Sequence, residues 1–156
     1  MTPESEIRRK VQCAIDKFLQ RDSVLLEIDV NERTMTHKLA EYVQQEFQGW
    51  DVDCEYNRKI KDLKTLPQPP NNFSGLDFWQ DTDAKTVYPD IIVHKRKSDE
   101  NLLVIEAKKS SSGDKGDWNK AKLRAFKEEP YKYRMAFFVS FRVGGKEGKR
   151  VDLEGL

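Results

Sequence analysis

The chain has 156 residues, the size of one ordinary domain, and its 28 basic and 27 acidic residues leave a formal net charge of +1. That balance argues against a protein that simply coats nucleic acid, which would carry a clear basic excess. With 35% charged and 37% hydrophobic residues and a mean hydropathy of −0.80, the chain is polar, yet its apolar residues fall in periodic runs. We expect one folded domain over 1–156 with a highly charged surface.

In chain order, Ile7, Val11, Ala14, Ile15, Phe18 and Leu19 recur at helical spacing and predict an amphipathic helix from about Glu4 to Gln20. A second helix is expected from about Val30 to Gln48, with Met35, Leu39, Tyr42, Val43 and Phe47 on its buried stripe and Gly49 placed to stop it. Trp50, Val52, Cys54 and Tyr56 then alternate with polar residues, the period of a half-buried strand. From Lys61 to Thr86 the chain is rich in Pro, Asn and Asp but carries Phe73, Phe78 and Trp79. We read it as an excursion pinned to its own domain. Two short apolar strands, Val87–His94 and Leu102–Lys108, flank a polar turn and read as a hairpin. A loop over Ser110–Asp117 leads to a helix from about Trp118 to Glu129, stopped by Pro130. Met135–Phe141 is an almost wholly apolar strand, and the Gly- and Lys-rich tail from Gly144 is expected to be loop.

Cys13 and Cys54 form no CxxC pair, and with only His37 and His94 besides, a structural zinc site is not expected. Neither histidine has a partner visible in the sequence. No apolar run has membrane-spanning length and the N-terminus lacks the apolar core of a secretion signal, so the expected setting is cytoplasmic with reduced thiols.

Chemistry concentrates in Tyr88-Pro89-Asp90-Ile91-Ile92-Val93 and Leu102-Leu103-Val104-Ile105-Glu106-Ala107-Lys108. Side chains alternate across a strand, so Val104, Glu106 and Lys108 share one face. The second run is apolar on both faces until Glu106, which marks a central strand ending in two ionised groups. Carboxylates at the edge of a dry core are costly, and two on adjacent strands repel. A hard divalent cation with oxygen ligands relieves both problems. A lysine beside it suits phosphodiester hydrolysis.

Pro89-Asp90, fifteen intervening residues, then Glu106-Ala107-Lys108 resembles the PD-(D/E)XK motif of the restriction-endonuclease-like nucleases. The resemblance covers the predicted element order from about residue 30 to 142. It implies an α/β fold of the α+β type: a mixed four-stranded sheet flanked by helices, in the order αβββαβ, with the first helix as an addition. It further implies Mg²⁺, with Mn²⁺ as substitute, held by Asp90, Glu106 and the backbone carbonyl of Ala107. Lys108 would position the attacking water, and products would carry a 5′-phosphate and a 3′-hydroxyl. The substrate implied is nucleic acid, with DNA expected, in restriction, repair or defence, with a homodimer or partner subunit compatible with the fold.

The family often adds an acidic residue from the helix before the sheet. Glu32, at the start of the core-facing stripe, is chosen over Glu41, which points to solvent. Asp29 three residues earlier offers a competing account, with Glu32 as the reciprocal member of a capping box. Arg58, Lys115 and Lys120 are candidate substrate contacts. Lys115, Lys120, Lys122, Arg124 and Lys127 together form a candidate basic edge, with a solvated helix face as the default. Lys109 is expected to face solvent, opposite to Lys108. The competing function is a binding or scaffold module that keeps the nuclease fold without cutting.

Overall fold

The computed structural model describes residues 1–55, 88–112, 116–144 and 150–156. Helix α1 spans Glu4–Asp22, a single helical turn α2 spans Val24–Glu27, and α3 spans Glu32–Glu46. The strands are β1 Asp51–Cys54, β2 Ile91–His94, β3 Asn101–Lys109, β4 Met135–Arg142 and β5 Arg150–Gly155, with α4 over Asp117–Lys127 between β3 and β4.

These elements make an α+β fold around a five-stranded mixed sheet in the spatial order β1-β2-β3-β4-β5. The first three strands pair antiparallel, β3 and β4 pair parallel through the α4 crossover, and β5 returns antiparallel to β4. The sheet therefore has one strand more than the four expected. The tail read as loop contains β5, where Val151 and Leu153 pack on the core while Arg150, Asp152 and Glu154 alternate with them.

Strand alternation sends the two faces of β3 into different cores. Leu103, Ile105 and Ala107 pack with Ile91, Val93, Phe137, Val139 and Phe141 against α1 and α3. Val104 joins Ile92, Ala136 and Phe138 against Leu123 and Phe126 of α4. Burial on both faces explains why β3 reads as continuous apolar sequence. The helical stripes expected from periodicity are buried as Ile7, Val11, Ala14, Ile15 and Phe18 in α1 and as Met35, Leu39, Tyr42 and Val43 in α3. Among the described residues no helix is long and apolar enough to cross a membrane.

Two local readings change. Strand β2 begins at Ile91, so Asp90 sits in the bend immediately before it rather than inside the strand. The cap of α3 is Asn31, whose Oδ1 accepts from Thr34 N at 2.8 Å, so Asp29 and Glu32 do not form a capping box. The Lys61–Thr86 excursion lies outside the described residues, as do Arg58 and Lys115.

Candidate carboxylate site at the end of the central strand

The β2–β3 register pairs Ile91 with Ile105, which sets Asp90 beside Glu106 just past the last ladder pair. The two residues are tied through each other's strands. Asp90 Oδ2 accepts from Ala107 N at 2.8 Å, and the Asp90 N–H donates to Glu106 Oε1 at 3.3 Å. In a strand, the N–H and C=O of one residue point to the same edge. The Ala107 carbonyl therefore points to the Asp90 edge as well, since its N–H does.

Glu106 is 1% exposed. Its Oε2 lies 2.8 Å from Lys122 Nζ, although no donor is aligned on that oxygen for a hydrogen bond. Burial, and then the neighbouring Asp90, push the Glu106 carboxyl well above its ordinary range, with Lys122 acting in the opposite direction. Asp90 is raised too, first by burial, with the Ala107 N–H and Lys122 pulling it back.

Glu32 reaches the same strand end from the other face. Its Oε2 accepts from Lys109 N at 3.0 Å, satisfying a backbone donor at the end of β3. Glu32 and Asp90 both line a cleft of about 620 Å³ with Asn31, Arg33, Thr36, His37, Cys54 and Glu55. Within it Arg33 pairs with Glu55 at 3.2 Å, while His37 of its wall pairs with Glu41 one helical turn on at 3.1 Å. Partial desolvation of the Cys54 thiol, followed by the charges of Asp90, Glu55 and Asp53, pushes it up to about 11.

Lys108 is half-buried on the Glu106 face, opposite Ser140 in the β4 register. Lys109 is not the solvent-facing lysine expected. Its Nζ bonds Asp29 Oδ1 at 2.9 Å and the Val30 carbonyl at 3.2 Å, and it anchors the turn before α3. Lys120 is drawn to β5, pairing with Glu154 at 2.9 Å and lying over the Phe138 ring. Of the other residues on that candidate basic edge, Lys122 is buried on Glu106 and Lys127 bonds the Leu156 carbonyl.

Lys122 is the site residue missed by the sequence reading. It stands four residues after Trp118 and four before Phe126, on the apolar stripe of α4, and that position was the available signal. His94, itself buried, also acquires a partner, the part-buried Asp53 through Oδ2 at 2.8 Å, near the opposite end of β2.

Among the described residues no group of three or more His, Cys, Asp and Glu side chains is placed to hold a metal ion. One buried and one part-buried carboxyl, an Oε2 without an aligned donor and a strand carbonyl on the same edge nonetheless fit a hard dication, which commonly takes one or two protein carboxylates and keeps waters. No protein-family model, curated protein or solved structure matches this chain.

Proposed function

We propose that this protein is a metal-dependent nuclease of the PD-(D/E)XK type that hydrolyses phosphodiester bonds, with DNA as substrate. The observation that carries the reading is the junction of Asp90 and Glu106 across the ends of β2 and β3, cross-bonded through Ala107 N and Asp90 N. A buried carboxyl and a part-buried one held together destabilise the fold when both are ionised, and a cation-binding role accounts for keeping them there.

Asp90, Glu106 and the Ala107 carbonyl would hold Mg²⁺, or Mn²⁺ in its place. When bound, the cation supplies acidification of water and charge neutralisation at the phosphate. Lys108, on the Glu106 face one strand repeat further on, would orient the attacking water. Glu32 steadies the strand end through Lys109 N and presents its carboxylate to the cleft that also reaches Asp90.

One observation favours a second reading, a binding module that does not cut. Lys122 already supplies Glu106 with a counter-charge from within the chain. Cleavage of supercoiled, linear, single-stranded and branched DNA, and of RNA, with Mg²⁺ or Mn²⁺ separates the two. The nuclease reading expects metal-dependent cutting that disappears in Glu106→Ala. Folded wild-type protein that cuts no substrate with either metal would move the assignment to the binding module.

A further inference from the structure

We propose that Lys122 is a positioning residue that occupies the Glu106 oxygen a divalent cation would claim, so that lysine and cation compete for one carboxylate. This inference rests on the cation-binding reading above and adds a residue that the motif does not contain.

The geometry is specific. Glu106 Oε1 is engaged by Asp90 N, which leaves Oε2 as the oxygen open to a further partner, and Lys122 Nζ stands 2.8 Å from it. Lys122 is 8% exposed, on the middle of α4 between Trp118 and Phe126, where an apolar side chain would extend the surrounding core. Burying a lysine sacrifices hydration and side-chain freedom, and a buried ion pair seldom stabilises more than the apolar residues that could replace it. The contact also lacks hydrogen-bond alignment at Oε2. It is therefore held by charge, and the flexible four-carbon stem lets Nζ withdraw when a stronger cation arrives.

Competition makes a directional statement about affinity. A dication entering beside an ammonium meets repulsion, and removing the ammonium takes away the positive charge that stands at Glu106 Oε2. Even strongly screened, a dication and a monocation a few ångströms apart repel enough to change binding by about tenfold or more. A lysine that instead merely supported the fold would weaken cation binding when removed, because the site would loosen.

The test is Mn²⁺ binding to the full chain at mildly alkaline pH, by calorimetry and by the electron paramagnetic resonance signal of free Mn²⁺, alongside thermal unfolding. Wild type, Lys122→Met, Lys122→Gln and Lys122→Arg are compared, each with Asp90→Asn added as a site control. Lys122→Met or Lys122→Gln should bind Mn²⁺ about tenfold or more tightly than wild type, and Mn²⁺ should raise its melting temperature by more. Lys122→Arg should stay near wild type because it keeps the charge, and Asp90→Asn should abolish the gain. The neutral glutamine keeps the comparison available should the methionine variant fail to fold. Equal or weaker Mn²⁺ binding in the neutral variants, with wild-type binding that depends on Asp90, would overturn the competition while leaving the cation site standing. If neither wild type nor any folded variant bound Mn²⁺, the cation site itself would fall, and the inference with it.

Discussion

Replacing Asp90 by asparagine or by alanine separates two effects that the wild-type carboxylate combines. The carboxylate accepts from Ala107 N at 2.8 Å, and Ala107 is fully buried, so its N–H has no recourse to water if that acceptor is lost. The same carboxylate is held near Glu106 in a desolvated site, and its ionisation is disfavoured there. Asparagine keeps an acceptor for Ala107 and discards the charge, whereas alanine discards both. A buried donor left unsatisfied costs about 1–3 kcal/mol, so the asparagine variant should exceed the alanine variant by that amount. For a chain of this size about 1 kcal/mol corresponds to roughly 3 °C in melting temperature, giving a gap of about 3–9 °C. Because Asp90 is raised above its ordinary value, its contribution to stability is present in acid and lost as pH rises through the raised value. The advantage of asparagine over wild type should therefore grow towards alkaline pH and vanish in acid. Calorimetric unfolding with EDTA present, across acid to mildly alkaline pH, measures both differences. An alanine variant as stable as asparagine would show that the Ala107 bond contributes nothing. A pH-independent difference between asparagine and wild type would refute the electrostatic account of the pair.

Glu106, raised well above its ordinary value of 4.5, should make the metal-free protein lose stability as pH climbs through the raised value. Glu106→Gln should flatten the melting-temperature profile there, and an unaltered slope would assign it elsewhere. Asp53 behaves oppositely: burial alone would raise it, but Arg96 and His94 outweigh burial and hold it low, so its stabilisation fades as pH falls through the lowered value. Asp53→Asn should remove that acid-range dependence in thermal melts. Gly116→Ala should destabilise by about 2–4 kcal/mol in urea titration, since the backbone is left-handed there, with φ at +77°, and a Cβ would stand 2.3 Å from Phe138 Cζ. A variant within experimental error of wild type would mean that the α4 start relaxes freely. Asn31→Ala should cost about 1 kcal/mol in the same titration by removing the cap on Thr34 N, and no loss would show that solvent replaces the cap.

Much of the carboxylate pair was legible because antiparallel pairing converts sequence into proximity. A short polar turn between two apolar runs fixes which residues face each other, and Asp90 and Glu106 flank the last paired positions. The helical stripes were legible from periodicity instead, since the apolar residues from Ile7 to Phe18 and from Met35 to Val43 each repeat at one turn. Strand β5 was obscured because Val151 and Leu153 give only two apolar positions, next to a Gly- and Lys-rich run that reads as loop. The bond from Lys109 N to Glu32 joins residues 77 apart in the chain, and no local pattern specifies such a contact. At the start of α3 the expected cap is Asp29, and Asn31 two residues on takes that place, because which residue caps the helix depends on where the chain turns. Lys122 was hidden by its own charge, which made an interrupted apolar stripe look like part of a solvated face.

The contact between Gly116 and the Phe138 ring has a consequence for how the site tolerates changes of chain length. Phe138 is the β4 register partner of Glu106, so Gly116 seats the first turn of α4 beside the strand position next to the carboxylate. From that seat Lys122 is a fixed number of residues along, and each residue turns a helix by about 100°. One residue inserted between Gly116 and Lys122 would swing the ammonium round the helix and put a neighbour over Glu106. Residues added ahead of Gly116 would lengthen the crossover and leave that angular phase untouched. Length variation in this part of the chain is therefore asymmetric, permitted on one side of a single glycine and excluded on the other.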